Sequence, residues 1–187
     1  RVNREKKLGI KNIVKISPFI DDVRIRNFIP TRTPSYEYFL TQCGIRPLAS
    51  SVICVIGNMY TELQHKSYPL LFRAIKELVY KKKNEVSVVI AGDGEMRDYC
   101  KEIVASMGLS DHVHFLGFWR DIPGLLYNSA FLVLASSVEG CGQVIIEAGL
   151  MKRAAIGASG TGAETVIVDG KTGLLFENGN EIGRAHV

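Results

Sequence analysis

From Ser51 to Phe176, short apolar runs alternate with stretches of helical periodicity, and this rhythm limits the fold more than any other feature. Val52-Ile53-Cys54-Val55-Ile56 stops at Gly57, and Pro69 then opens a helical stretch through Tyr80 with Leu70, Leu71, Ala74, Ile75, Leu78 and Val79 at helical spacing. Val86 to Ala91 reads as a second strand ending at Gly92-Asp93-Gly94, followed by a helix from about Glu95 to Met107. His112 to Leu116 and Phe131 to Leu134 read as the third and fourth strands, with a short helix between them capped by Asp121. A helix begins near Gly142, Ala154 to Gly157 gives a fifth strand, Glu164 to Val168 a helical turn, and Gly173 to Phe176 the last strand. Strands that are apolar throughout, joined by amphipathic helices, mean a parallel sheet covered on both faces. The expected class is therefore α/β, a Rossmann-like open parallel sheet with helices on both faces. Such sheets bind ligands beyond the carboxyl ends of their strands, here the loops after Ile56, Ala91, Leu116 and Leu134.

Residues 1–50 have another texture. Four of the six prolines fall there, and the expectation is irregular chain: a linker and the edge of a preceding domain. Residues 51–180 are expected to form the ligand-binding domain. The chain opens on Arg1, and its last seven residues, 181–187, resemble translated adapter sequence, so a non-native tail is expected there.

Composition removes several function classes. Hydrophobic residues at 47% and charged residues at 22% describe a chain able to bury a core. A net charge of +4 is too weak for a nucleic-acid scaffold, though compatible with a small anionic ligand. No apolar run approaches the ~20 residues that span a bilayer. Cys43, Cys54, Cys100 and Cys141 are far apart and form no CxxC pair, which argues against zinc and against a secreted disulfide framework and makes a reducing cytosol the default. Gly92-Asp93-Gly94 lacks the third glycine of a dinucleotide fingerprint, so no NAD is expected. His112 and His114 alternate along a strand, and a metal role is not expected of them. Lys81-Lys82-Lys83 closes a helix, where cations favour the dipole.

The loop after the fourth strand carries the chemistry: Ser136-Ser137-Val138-Glu139-Gly140-Cys141-Gly142-Gln143-Val144-Ile145-Ile146-Glu147. Glu139 stands at the strand end and Glu147 lies inside the next helix. Gly140 and Gly142 permit close backbone approach where amide groups and the positive helix end favour phosphate. A carboxylate two turns inside that helix can accept hydrogen bonds from sugar hydroxyls. Lys66, a cation just before a helix and near the Gly57 strand end, also suits a phosphate.

The Ser136–Glu147 pattern resembles the E-x7-E motif of glycosyltransferase family four, retaining GT-B enzymes that use nucleotide-sugar donors. Four other stretches match the family's motifs in order: Ile56-Gly57-Asn58 with His65-Lys66-Ser67, Val89 to Gly94, Val113 to Gly117 with Arg120-Asp121-Ile122, and Asp169 to Leu175. The resemblance covers roughly residues 51–177 and implies the C-terminal donor-binding half of a GT-B fold. It implies that Glu147 holds the donor ribose and that Glu139 faces the donor sugar. The backbone at Gly142, Gln143 and Val144 would meet the sugar or diphosphate, beside Gly57 and Asn58. Lys66 would neutralise the diphosphate and stabilise the leaving group electrostatically, without a metal. Phe118 would border the base, with Trp119 stacking. Glu139 and Lys66 are thus the expected catalytic residues, and a nucleotide sugar is a substrate rather than a cofactor.

The implied activity is transfer of a hexose to a hydroxyl acceptor with retention, in polysaccharide biosynthesis. The glycan or lipid acceptor would be recognised by a missing N-terminal domain, so this piece alone is expected to bind donor weakly and transfer nothing. Enzymes of this family often work at the cytoplasmic leaflet, so a cytoplasmic setting with peripheral membrane contact is expected. Asn58 stands where the family usually has Arg, which removes one of two diphosphate cations. That feature keeps a non-catalytic nucleotide-binding module open as an alternative. A nucleotide-sugar epimerase shares the GT-B layout and is a second alternative, although the E-x7-E spacing speaks against it.

Overall fold

In the computed structural model, residues 36–45, 51–60, 67–82 and 85–178 are described. The strands are β1 (Ser51–Ile56), β2 (Val86–Ala91), β3 (Val113–Gly117), β4 (Phe131–Leu134), β5 (Ala154–Ala158) and β6 (Gly173–Phe176). The helices are α1 (Tyr36–Gln42), α2 (Ser67–Lys76, running on into a π turn over Glu77–Lys81), α3 (Arg97–Ser106), α4 (Ile122–Asn128) and α5 (Gln143–Leu150). A 3₁₀ turn spans Gly162–Thr165. All six strands form one sheet in the order β3-β2-β1-β4-β5-β6, and every pairing is parallel.

Alternation along each strand divides the core between the two faces, because successive side chains of a strand point to opposite sides. Val52 and Cys54 of β1, Val89 of β2, and Leu132 and Leu134 of β4 join Leu125, Leu126, Ile145 and Ala148 of α4 and α5. Their neighbours Ile53, Val55, Val88, Ile90 and Val133 join Leu71, Phe72, Ile75, Cys100 and Val104 of α2 and α3. Apolar residues dominate the strands because both faces are covered, with Ser87 of β2 as a buried exception.

The sequence reading holds for element type and slips at several ends. β3 starts one residue later than expected, at Val113. The His112 carbonyl still accepts from the Val88 amide at 2.7 Å, while its ring Nδ1 lies 3.0 Å from the Val86 carbonyl oxygen. α3 starts at Arg97 because Glu95 and Met96 form a turn, with the Met96 amide bonded to the Met59 carbonyl at 3.0 Å. Asp121 caps α4 as expected, its Oδ1 accepting from the Gly124 amide at 2.9 Å. The late helical turn begins at Gly162 rather than Glu164, since the Thr161 side chain caps it through the Ala163 amide. Within the stretch read as irregular, α1 buries Phe39 and Leu40 in the α4–α5 side of the core. The proline-rich composition hid that helix, which lies between Pro34 and Pro47.

Candidate functional site

The strand order changes direction between β1 and β4. From β1 the chain winds outward through β2 to β3, then returns beside β1 as β4 and winds the other way. The loops leaving β1 and β4 must therefore diverge, which opens a crevice at the carboxyl ends of these two strands. A cavity of about 170 Å³ lies there, lined on one side by Ile56, Gly57 and Asn58 and on the other by Ser136, Glu139, Gly142, Gln143 and Val144. Tyr68 lines it as well. Its volume is below the ~300–1,000 Å³ of most small-molecule sites, so it has room for only part of a ligand of that size.

A left-handed turn and four hydrogen bonds shape the far wall. Gly142 adopts φ 64° and ψ 53°, a left-handed turn that swings the chain from the loop into α5; a Cβ there would sit 2.8 Å from Ile145 Cδ1. Glu139 Oε1 accepts from the amides of Gly140 at 3.0 Å and Gly142 at 3.3 Å, so the carboxylate folds back on its own loop. The amide of Gly162 donates to the Glu139 carbonyl at 2.9 Å, and Asn178 Nδ2 donates to the Ser137 carbonyl at 3.0 Å. The loop is thus held from outside at two points. Gln143 and Val144 then open α5, where the first N–H groups have no partner within the helix and carry the positive end of its dipole.

The opposite wall is fixed through β2. Gly57 donates to the Ala91 carbonyl at 3.0 Å and Met59 to the Asp93 carbonyl at 2.9 Å, which holds Asn58 between two anchored neighbours. The Gly92-Asp93-Gly94 turn therefore braces the β1 exit loop.

The structure brings Gly57, Asn58, Glu139, Gly142, Gln143 and Val144 around one cavity. Glu147 is half-buried one helical turn beyond Gln143, on the same stripe of α5, and does not line the cavity itself. Phe118 stands 76% exposed after β3, two strands from the crevice. Trp119 packs against the core and donates its indole N–H to the Asp121 carbonyl at 3.1 Å. Lys66 and His65 lie outside the described residues, as do the first 35 residues and the 181–187 tail. Sequence reasoning missed Tyr68, Gly162 and Asn178. The signal for Tyr68 was an aromatic residue with a polar tip on the first turn of the helix that follows the Gly57 loop. Gly162 and Asn178 act through the backbone of a segment more than 20 residues away in sequence, which no local pattern reports.

A family profile described as glycosyl transferases group 1 matches residues 50–186. The chain belongs to this family. Among curated group 1 relatives, it is 34% identical over 125 residues to an α-1,4-N-acetyl-D-galactosaminyltransferase of Campylobacter jejuni that acts on a diphospho-undecaprenol-linked glycan, covering 66% of this chain and 34% of that protein. It is 29% identical over 126 residues to the α-D-kanosaminyltransferase of Streptomyces kanamyceticus, covering 66% and 32%. The chain thus spans about a third of the length of these relatives. The fold of this glycosyltransferase domain matches TarM of Staphylococcus aureus, in a complex with UDP, at a TM-score of 0.74 and 23% identity over 99% of this chain and 33% of that one. It matches Anabaena HepE, with UDP and glucose, at 0.69 and 23% over 86% and 43%. It also matches the isolated C-terminal domain of the Francisella tularensis group 1 protein LpcC at 0.68 and 20%, over 89% of this chain and 84% of that domain.

Proposed function

We propose that residues 51–178 bind the nucleotide-sugar donor of a hexosyltransferase that works with retention of anomeric configuration. One observation carries the reading: the cavity at the β1/β4 divergence joins the amide-rich start of α5 to the Glu139 carboxylate. The helix end suits a diphosphate, and the carboxylate suits a sugar placed just beyond it. Glu147, one turn along α5, is the proposed ribose contact, and Phe118 the proposed edge of the base site. Lys66 is retained as the proposed diphosphate cation on the strength of its sequence context alone.

Retention is carried over from the family resemblance, and the α-linkages in the relatives' names fit it for an α-linked donor, which gives an α-linked product only when configuration is kept. The acceptor reading follows the diphospho-undecaprenol glycan named for the Campylobacter relative: a hydroxyl on a growing or lipid-linked glycan. Work at the cytoplasmic membrane face belongs to the same proposal. No described helix is long and apolar enough to cross a bilayer. Acceptor recognition would rest on polypeptide of the kind the longer relatives possess, so this chain alone should bind donor and not transfer it.

Titration of the 187-residue chain with UDP and with uridine tests the reading. Saturable UDP binding that weakens sharply when the diphosphate is removed supports a phosphate site at α5. Equal affinity for UDP and uridine, or no binding of UDP, would overturn it.

A further inference from the structure

Tyr68 is built into the cavity by the core. It lies in the first turn of α2 with only 6% of its surface exposed, and its ring packs against Phe72 at a centroid distance of 6.0 Å. A phenylalanine would fill that space equally well, so packing alone does not call for the hydroxyl. The hydroxyl donates to the Gly57 carbonyl at 3.1 Å, and both residues line the cavity that Glu139 and Gly142 close from the other side.

A phenolic hydroxyl has one proton and can still accept hydrogen bonds. With its proton committed to Gly57, Tyr68 presents an acceptor to any ligand. A diphosphate carries only acceptors and gains nothing there. A sugar hydroxyl is a donor and does. Burial raises the phenol's pKa well above its ordinary value, with nearby Cys100 adding to the shift, so the oxygen stays neutral and protonated throughout the physiological range. It can accept without competing with the diphosphate for the positive end of α5.

We propose that the Tyr68 hydroxyl oxygen accepts a hydrogen bond from a hydroxyl of the donor's sugar, making Tyr68 a sugar-selecting residue of this site. The proposal rests on the nucleotide-sugar reading above and specifies which part of the donor lies beside β1. It places the sugar between Tyr68 on the β1 side and Glu139 on the β4 side, with the diphosphate at Gln143 and Val144.

Tyr68→Phe removes one oxygen and keeps the ring, so the fold is retained. The full chain and this variant are titrated with UDP and with whichever of UDP-glucose and UDP-N-acetylgalactosamine the wild type binds more tightly. The expected result is a loss of roughly two- to tenfold in affinity for the sugar nucleotide, the range of one neutral hydrogen bond, with UDP affinity unchanged. An equal loss for both ligands would mean that Tyr68 only holds Gly57 in place, and no loss for either would mean that it does not meet the ligand. Both results overturn the proposal. A wild type that binds no UDP refutes the underlying reading instead, and the proposal falls with it.

Discussion

The Gly162 amide donates to the Glu139 carbonyl at 2.9 Å, and the two backbones lie so close that a Cβ on Gly162 would overlap the Gly140 carbonyl and stand 2.7 Å from the Cys141 nitrogen. The turn after β5 therefore positions the loop after β4, and with it Glu139, which lines the cavity. Gly162→Ala must push these backbones apart. The expected cost is about 1–3 kcal/mol, as for other overpacked sites, read as a lower unfolding midpoint. UDP affinity should fall as well at temperatures where the variant is still folded. Gly149→Ala is the control: it is exposed in α5 with open space around it, and should stabilise by up to ~1 kcal/mol through helix propensity. A Gly162→Ala protein as stable as the wild type would show that the two loops are not in contact.

Glu139 pairs with its own loop through Oε1, at 3.0 Å from the Gly140 amide and 3.3 Å from the Gly142 amide. In Glu139→Ala these amides lose their acceptor. Amide hydrogen exchange at Gly140 and Gly142 should accelerate, while exchange in β1 and β2 stays as slow as before. Unchanged exchange at both glycines would contradict the self-capped loop.

Glu147→Gln tests the ribose assignment. A neutral amide makes weaker hydrogen bonds to hydroxyls than a carboxylate does, and the change should weaken UDP roughly fivefold to tenfold. Equal UDP affinity in the variant and the wild type would remove Glu147 from the site.

The cysteines separate by environment. Cys43, Cys54 and Cys100 are buried, and burial pushes their thiol pKa values up to about 11, 12 and 11. Cys141 is only half-buried, in the loop between Glu139 and Gln143. In the native chain at pH 8, iodoacetamide should modify Cys141 first, and UDP should slow it; mass spectrometry of the labelled peptides reads both. The three buried thiols also set a pH dependence. In the unfolded chain they ionise near ~8.5, whereas in the folded chain they stay protonated. Their stabilising contribution is thus complete below about pH 8.5 and is lost as pH rises toward 11 and 12. Urea midpoints should fall from pH 8 to pH 10, and the fall should be shallower in Cys54→Ala.

Much of this was legible in the chain. The runs at Val52–Ile56 and Phe131–Leu134 are apolar at every position, and Val86–Ala91 at all but Ser87, because both sheet faces are covered, and that requirement writes itself directly into sequence. Asp121 was legible as a cap because capping is a contact between near neighbours. Gly57, Asn58, Glu139, Gly142, Gln143 and Val144 were expected from strand-end glycines and the family resemblance; that they line one cavity depends on the reversal of strand order at β1, which no local pattern reports. What stayed hidden depends on partners far along the chain. Gly162 bracing Glu139, Asn178 bracing Ser137 and Tyr68 bonded to Gly57 are tertiary facts. The inward turn of Trp119 is another kind of case, since the core packing and the Asp121 carbonyl decide its orientation, and an aromatic residue in a loop carries no mark of which way it faces.

The proposed seat of the nucleotide diphosphate is where β1 and β4 diverge, against the start of α5. Amide NMR spectra of the ¹⁵N-labelled chain during UDP titration test it most directly. The largest shift changes should cluster at Gly57, Asn58 and the segment from Ser136 to Val144. Changes confined to the other end of the sheet, around His112, Ser129 and Ala130, or no changes at all at saturating UDP, would contradict it.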